Sequence, residues 1–267
     1  MSKTGPPEQF FIGWDVGGWN CDRNRESRDA IVILDAKREI IGTPWRGNLR
    51  EAINEAETAH DWLLTLFKLC KAVIPEGKFS ATLAIDTPLG FSDAFRNLVN
   101  DLKHVDWVGQ SDTNPYLFRA TEQILFQHEL RPLSPIKDMI GSQATKGMHV
   151  LSKFAPTGLE SGVWSDGEGL TAIEAYPSAC KASDFMQKLL QPYVTAKRVD
   201  SSETIWIDLI NHQDKLDALI CALVAYAFKV QPEALQHPDA TIPMAEGWIW
   251  MPLDVMKSIS HRPVATT

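Results

Sequence analysis

The sequence lacks an apolar run long enough to cross a membrane. Its longest uninterrupted apolar stretch, residues 218–228, contains 11 residues, whereas a spanning helix needs about 20. The first nine residues are polar, include two prolines and show no apolar signal-peptide core. We therefore expect a protein without a membrane partner.

The sequence also has few cysteines, and none of them is arranged as a paired motif. The four cysteines lie far apart and form no Cys-x-x-Cys pair, and they are Cys21, Cys70, Cys180 and Cys221. This spacing argues against a zinc site and against a disulfide framework. We expect buried, reduced thiols and a cytoplasmic location.

Positive charge is in deficit, with 26 Lys and Arg against 34 Asp and Glu, which gives a formal net charge of −8. This balance argues against a protein that coats long nucleic acid nonspecifically. It leaves room for a local basic patch or for a metal site built from acids. The 267 residues are 44% hydrophobic and 22% charged, without visible repeats or low-complexity tracts, which excludes disordered and fibrous classes.

Hydrophobic patterning predicts an α/β fold. Three early strands joined by short connections favour an antiparallel meander, and a long amphipathic helix then precedes an apolar central strand. The predicted strands cover residues 10–16, 30–34, 39–41, 79–85 and 170–176, and the predicted helices cover 49–71, 91–102, 116–130, 142–154 and 213–230. Residues 158–169 are glycine-rich and are predicted as a turn region. We expect one domain over residues 10–250, a helical insertion around 91–156, and tails at 1–9 and 251–267.

Acidic residues occupy positions where the pattern calls for burial. Asp15 ends the first strand, Asp86 ends the central strand, and Glu174 shares a strand face with apolar residues. Asp214 and Asp217 are three residues apart near the start of the last helix, on a stripe that continues with apolar residues. The pattern therefore places several carboxylates against the core.

A buried cluster of carboxylates needs protons, basic partners or cations. Two unit charges about 4 Å apart repel by about 4 kcal/mol at an effective dielectric of 20. Mg²⁺ prefers oxygen ligands, and a pair of such ions promotes phosphodiester hydrolysis. Four of these acids also have an ordinary interpretation: Asp15 and Asp86 as turn residues, Glu174 as the partner of a core arginine, and Asp214 as a complement to the helix dipole. Asp217, on the apolar stripe of the helix, is the hardest to explain in this way.

Four segments occur in an order that resembles a known family. They are Gly13-Trp14-Asp15-Val16-Gly17, Ala84-Ile85-Asp86-Thr87-Pro88-Leu89-Gly90, Ile173-Glu174-Ala175-Tyr176-Pro177 and His212-Gln213-Asp214-Lys215-Leu216-Asp217-Ala218-Leu219. They resemble the uncharacterised domain family numbered 429, which is described as predicted nucleases of ribonuclease H fold. Glu246-Gly247-Trp248-Ile249 resembles that family's closing motif, and the Asp-x-x-Asp-Ala motif is similar to that of RuvC-type junction resolvases.

This resemblance implies a ribonuclease H-like mixed sheet, an antiparallel three-strand meander plus parallel strands, flanked by helices. It also implies a site that holds Mg²⁺ or Mn²⁺. Asp15 would bridge the metals, Asp86 would be a second ligand, and Asp214 or Asp217 would complete the site. Glu174 would join the catalytic residues through its own motif, without a clear counterpart in RuvC. Function taken from a fold in this way is an analogy.

Basic residues suggest where a phosphate backbone would be held. Lys146, His149 and Lys153 are spaced i, i+3 and i+7 on one predicted helix, and Arg119 resembles an arginine position of the family. We expect these four residues to bind substrate, against the alternative that the lysines form a solvated helix face.

Three functions follow from these patterns. The first is a metal-dependent nuclease or phosphodiesterase that acts on nucleic acid or a nucleotide by a two-metal mechanism. The second is an ATP-dependent phosphotransferase of the actin and sugar-kinase type, although the sequence shows no duplication and no P-loop. The third is a non-catalytic binding module on the same fold. The sequence predicts no oligomeric state.

Overall fold

A mixed sheet of eight strands organises the chain. The computed structural model describes residues 7–194 and 209–256. The strands are β1 (Glu8–Asp15), β2 (Asp29–Leu34), β3 (Trp45–Gly47), β4 (Phe79–Asp86), β5 (Thr157–Glu160), β6 (Val163–Ser165), β7 (Leu170–Ala175) and β8 (Ile249–Trp250). The α/β class predicted from the sequence is therefore confirmed.

The strand order across the sheet is β3-β2-β1-β4-β7-β6-β5, and β8 pairs with β7. Strands β1, β2 and β3 form an antiparallel meander, whereas β1, β4 and β7 run parallel to one another. Because the carboxyl ends of parallel strands meet at one edge, the last residues of β1, β4 and β7 lie side by side. This edge positions the candidate site.

Eight α-helices accompany the sheet within the described residues. They are α1 (Arg50–Glu55), α2 (Ala59–Leu69), α3 (Asp93–Asp101), α4 (Ala120–Gln127), α5 (Gly141–Phe154), α6 (Pro177–Cys180), α7 (Asp184–Val194) and α8 (Gln213–Val230). None of the described helices has the length and apolar character needed to cross a membrane.

The two faces of the sheet carry two hydrophobic clusters. Phe10, Ile12 and Trp14 of β1 pack with α1, α2 and α5, whereas Phe11 packs with α7 and α8. This division follows from the alternation of side chains along a strand. The same alternation decides which acids at the sheet edge face each other.

Helix α8 lies directly against β1 at Gly13. A Cβ atom added at Gly13 would lie 1.8 Å from the carbonyl oxygen of Ala218, so a larger residue there would push the helix away. This close contact brings the first turns of α8 to the edge of the sheet.

Most of the predicted elements are confirmed, but the third strand of the meander is displaced. The predicted strand at 39–41 contributes only one bridge, between Leu34 and Ile40. Gly42 then adopts a φ of +72°, which turns the chain, and the strand that pairs with β2 is β3.

The predicted helix over residues 49–71 is divided into α1 and α2. Ala56 is extended, with φ −67° and ψ 131°, and Thr58 forms a reciprocal capping box with Asp61. Such a cap starts a new helix and satisfies its first N–H groups. The predicted turn region at 158–169 instead contains the hairpin of β5 and β6. Of the predicted tails, residues 1–6 and 257–267 lie outside the described residues.

Candidate functional site

Asp15 and Asp86 form an adjacent pair at the carboxyl edge of the sheet. They are the last residues of β1 and β4 and are direct partners in the parallel register. By strand alternation they share the face of Gly13 and Ala84, which faces α8. Both side chains are half-buried.

Burial raises the pKa of Asp15 well above its usual value, and the carboxylates of Asp86, Asp214 and Asp217 raise it further. The pKa of Asp86 rises to about 7, mainly through burial and then through Asp217 and Glu174. A hydrogen bond with Asp15 opposes that rise. Two carboxyl groups that share a hydrogen bond need a proton on one of them. The pair therefore holds a proton at neutral pH or attracts a cation in its place.

Asp214 and Asp217 approach this pair from the start of α8, but each has a basic partner. Asp214 accepts hydrogen bonds from Arg46 Nε at 2.7 Å and from the backbone N–H of Arg28 at 2.9 Å. The ammonium of Lys181 lies 2.6 Å from an oxygen of Asp217. The first turn of α8 thus brings two further carboxylates to the site while neutralising part of their charge.

Glu174 is buried and lies on the other face of the sheet. In β7 it shares a face with Ala172, two residues earlier, which packs on the side of α2 and α5. Arg119 binds it through two contacts, Nη2 to Oε1 at 2.6 Å and Nη1 to Oε2 at 2.8 Å. The backbone N–H of Leu89 donates to Oε2 at 2.8 Å. Both oxygens of Glu174 therefore serve a buried ion pair, and the residue also contributes to the wall of a cavity over Asp15 and Asp86. The catalytic role of Glu174 stays a prediction.

Arg119 is 1% exposed and is held by two other acidic residues besides Glu174. Its Nε donates to Glu122 at 2.8 Å, and Nη1 donates to the carbonyl oxygen of Glu246 at 3.0 Å. The carboxylate of Glu246 accepts from the backbone N–H groups of Asp93 and Ala120, at 2.8 and 2.6 Å. The expectation that Arg119 binds substrate is thus corrected, because its guanidinium is enclosed in a structural network.

Lys146 is also buried, so it does not contribute to an exposed cationic face of α5 as predicted. Its ammonium pairs with the buried carboxylate of Asp29, which also accepts from the backbone N–H groups of Gly17 at 2.9 Å and Leu49 at 2.7 Å. This ion pair fixes the turn after β1 and thereby the position of Asp15. Lys146 is a structural residue rather than the predicted substrate ligand.

The other two residues of that predicted face differ from Lys146. His149 is exposed, and its ring packs edge-on against Trp19 at 5.6 Å between centroids. Lys153 donates to the carbonyl oxygens of Ile53 and Asn54 at 2.7 and 3.2 Å, which ties α5 to α1. The substrate-binding role of His149 and Lys153 stays a prediction.

An open cavity of about 430 Å³ lies over the pair of Asp15 and Asp86. Tyr176 and Arg131 contribute to its wall, and the Tyr176 hydroxyl donates to the carbonyl oxygen of Arg131 at 3.0 Å. Burial raises the pKa of Tyr176, and Asp86 adds to the rise. Sequence reasoning did not identify Arg131, because it lies in a loop before a proline, outside any periodic pattern.

No group of three or more His, Cys, Asp or Glu side chains is arranged to hold a metal within residues 7–194 and 209–256. Asp15 and Asp86 instead form an adjacent pair of carboxylates. Such a pair suits Mg²⁺ or Mn²⁺, because these ions bind through one or two carboxylates, waters and substrate phosphates rather than through a full protein cage.

Comparisons of the chain with protein-family models, with curated proteins and with solved structures gave no match.

Proposed function

We propose that the protein is a metal-dependent phosphodiesterase or nuclease of ribonuclease H-like fold. The observation that carries this proposal is the pair of Asp15 and Asp86, which adjoin in register at the carboxyl edge of the sheet beneath an open cavity, and whose pKa values are both raised, mainly by burial. A pair that has difficulty ionising alone becomes a favourable ligand for a divalent cation.

The arrangement of the acids supports the fold assignment. An antiparallel meander followed by parallel strands is the sheet that the sequence resemblance implies, and the acids lie on β1, β4 and α8 as the resemblance implies. Asp214 and Asp217 differ from Asp15 and Asp86 because each has a basic partner. Among these four acids, Asp15 and Asp86 have surroundings that favour a cation, because burial raises the pKa of both, and the α8 acids supply negative potential around them.

Mg²⁺ or Mn²⁺ bound at this pair would polarise a phosphoryl oxygen and lower the pKa of a bound water. The chain's own residues would bind and orient this cation. Asp15 and Asp86 supply oxygen ligands in place of their shared proton, and Arg46 and Lys181 limit the charge that α8 adds. The Asp29–Lys146 pair fixes the turn that follows Asp15.

The test compares Asp15→Asn and Asp86→Asn with a control, Asp106→Asn. Asp106 is an exposed loop residue outside the cavity lining, so this substitution removes the same charge away from the cavity. Single-stranded, duplex, branched and hybrid nucleic acids are incubated with Mn²⁺, and Mn²⁺ binding is measured by calorimetry. We expect cleavage and Mn²⁺ affinity to fall by a factor on the order of one hundred or more in both site variants and to be unchanged in the control.

Three outcomes would redirect the assignment. Cleavage that persists unchanged in both Asn variants would remove Asp15 and Asp86 from the reaction. Thermal stabilisation by ATP without nuclease activity would favour a phosphotransferase, and failure to bind any divalent cation would favour a non-catalytic module.

A further inference from the structure

A basic loop lies at the edge of the sheet that carries the acidic pair. Residues 19–28, named the arginine loop, belong to the connection from β1 to β2, and Ala30 of β2 is the register partner of Asp15. This connection therefore starts and ends at the carboxyl edge of β1. Because Arg119 and Lys146 are buried in ion pairs, a phosphate backbone that reaches this edge needs other basic groups.

The arginine loop is fixed against the start of α8. The backbone N–H of Arg28 donates to Asp214 Oδ2 at 2.9 Å, and Arg46 Nε donates to the same oxygen at 2.7 Å. Arg46 also donates through Nη2 to the carbonyl oxygen of Arg25 at 2.7 Å. Asp214 is one of the carboxylates that raise the pKa of Asp15. These contacts therefore hold the loop close to the acidic pair.

Hydrogen bonds within the loop give it a defined shape. Asn24 Oδ1 accepts from the backbone N–H of Glu26 at 2.9 Å, and Arg28 Nε donates to the carbonyl oxygen of Asn24 at 2.9 Å. At the other end of the loop, Arg50 Nη1 of α1 donates to Asn20 Oδ1 at 3.0 Å. The side chains therefore extend from a fixed backbone, which lowers the entropy cost of binding a ligand.

Positive charge is in excess on this loop. Arg23 and Arg25 are exposed, and the guanidinium of Arg28 donates to backbone carbonyl oxygens rather than to a carboxylate. In the part of the chain that the structure describes, none of these three arginines forms an ion pair. Of the two acids on the loop, Asp22 has Arg50 at 3.7 Å, which leaves one glutamate against the three arginines. The loop is therefore locally basic in a chain whose formal net charge is −8.

We propose that the arginine loop binds the phosphate backbone of a nucleic acid strand that extends past the bond cleaved at Asp15 and Asp86. This inference rests on the proposed function of that pair. Guanidinium groups bind phosphates through paired N–H donors, and contacts to phosphates position a strand without reading its sequence. The substrate class is then a polynucleotide rather than a free nucleotide, and the loop holds it by charge rather than by base identity.

The experiment measures how the affinity for a single-stranded oligonucleotide of about 20 nucleotides depends on salt concentration. Fluorescence anisotropy with Ca²⁺ in place of Mn²⁺ compares the wild type, Arg23→Gln/Arg25→Gln and a control, Lys71→Gln/Lys78→Gln. Lys71 and Lys78 are exposed and lie in the connection that leads into β4, at the end opposite Asp86. The slope of log affinity against log salt should be shallower by about 1.4 in the loop variant, since each phosphate contact on a single strand contributes about 0.7. The control should keep the wild-type slope.

A second variant separates charge from local structure. Arg23→Lys/Arg25→Lys should keep the wild-type slope, because an ammonium also neutralises a phosphate. No oligonucleotide binding by the wild type, an unchanged slope in Arg23→Gln/Arg25→Gln, or an equal change in the control would overturn the inference. So would binding to anionic lipid vesicles that the loop variant loses while its oligonucleotide binding is unchanged. Cleavage and Mn²⁺ binding, measured separately on the wild type and Asp86→Asn, report on the proposed function, so the two failures are distinguishable.

Discussion

Replacing Asp86 by asparagine should stabilise the metal-free protein at pH 8 and leave its stability unchanged near pH 4. The pKa of Asp86 is about 7 in the folded chain and 3.8 in its ordinary state. A group whose folded pKa is raised contributes stability that is fully present below its unfolded pKa and is lost as pH rises through its folded pKa. At pH 8 the wild type carries this full penalty, which the asparagine removes.

The magnitude follows from the size of the shift. The difference between about 7 and 3.8, at about 1.4 kcal/mol per pH unit, gives a ceiling of about 4 kcal/mol. Water reaches the half-buried carboxylate, so we expect about 2 kcal/mol. For a chain of this size that corresponds to a rise in Tm of roughly 4–8 °C.

Urea unfolding at pH 4, 6 and 8 in the presence of EDTA measures this difference, with Asp106→Asn as the control. The gain in free energy of unfolding should grow with pH in Asp86→Asn and be absent in the control. A gain of equal size at every pH would refute the reasoning, because it would not come from ionisation. Added Mg²⁺ should stabilise the wild type at pH 8 but not the variant, since a ligand stabilises only the state that binds it.

Three other predictions concern the surroundings of the pair. Gly13→Ala should lower the free energy of unfolding by about 3 kcal/mol or more, because the new Cβ would overlap Ala218; an unchanged urea midpoint would contradict the close packing of α8. Arg119→Ala should cost about 3–5 kcal/mol in the same measurement, since it leaves buried carboxylates unpaired, and a loss below about 1 kcal/mol would show that the network is hydrated. Burial raises the pKa of Asp86, and the ammonium of Lys181 opposes that rise. Lys181→Met should therefore raise the pKa of Asp86 further, as measured by a carbon NMR titration of the carboxyl groups. An unchanged pKa would show that the ammonium is too far from Asp86 to affect it.

The central elements could be predicted from the sequence because their patterns are strong. The continuous apolar run of β4 predicts a buried strand, and the apolar stripe of α8 predicts a helix that packs on the sheet. The acids in these elements are conspicuous because their neighbours in sequence are apolar. The adjacency of Asp15 and Asp86 follows once β1 and β4 are parallel neighbours. Those predictions depend on local periodicity, which short-range physics controls.

The partners of the charged residues could not be predicted, because they come from distant parts of the chain. The spacing of Lys146, His149 and Lys153 is the same for a solvated face and for a buried ion pair. Only the tertiary fold places Asp29, 117 positions away, against Lys146. Glu174 was placed on the correct strand face, but nothing near it in sequence indicates Arg119, 55 positions away.

The position of Glu246 has a consequence for the order in which the molecule is assembled during synthesis. This residue caps α3 and α4 across 153 and 126 positions of sequence, and its carbonyl oxygen receives Arg119. A ribosome releases those helices and β7 long before Glu246 emerges, so the nascent chain must keep the charged groups around Arg119 hydrated until then. Contacts of such long sequence separation form slowly. We therefore expect the region around Arg119 to be the last part of the described fold to become protected from proteolysis on a translating ribosome.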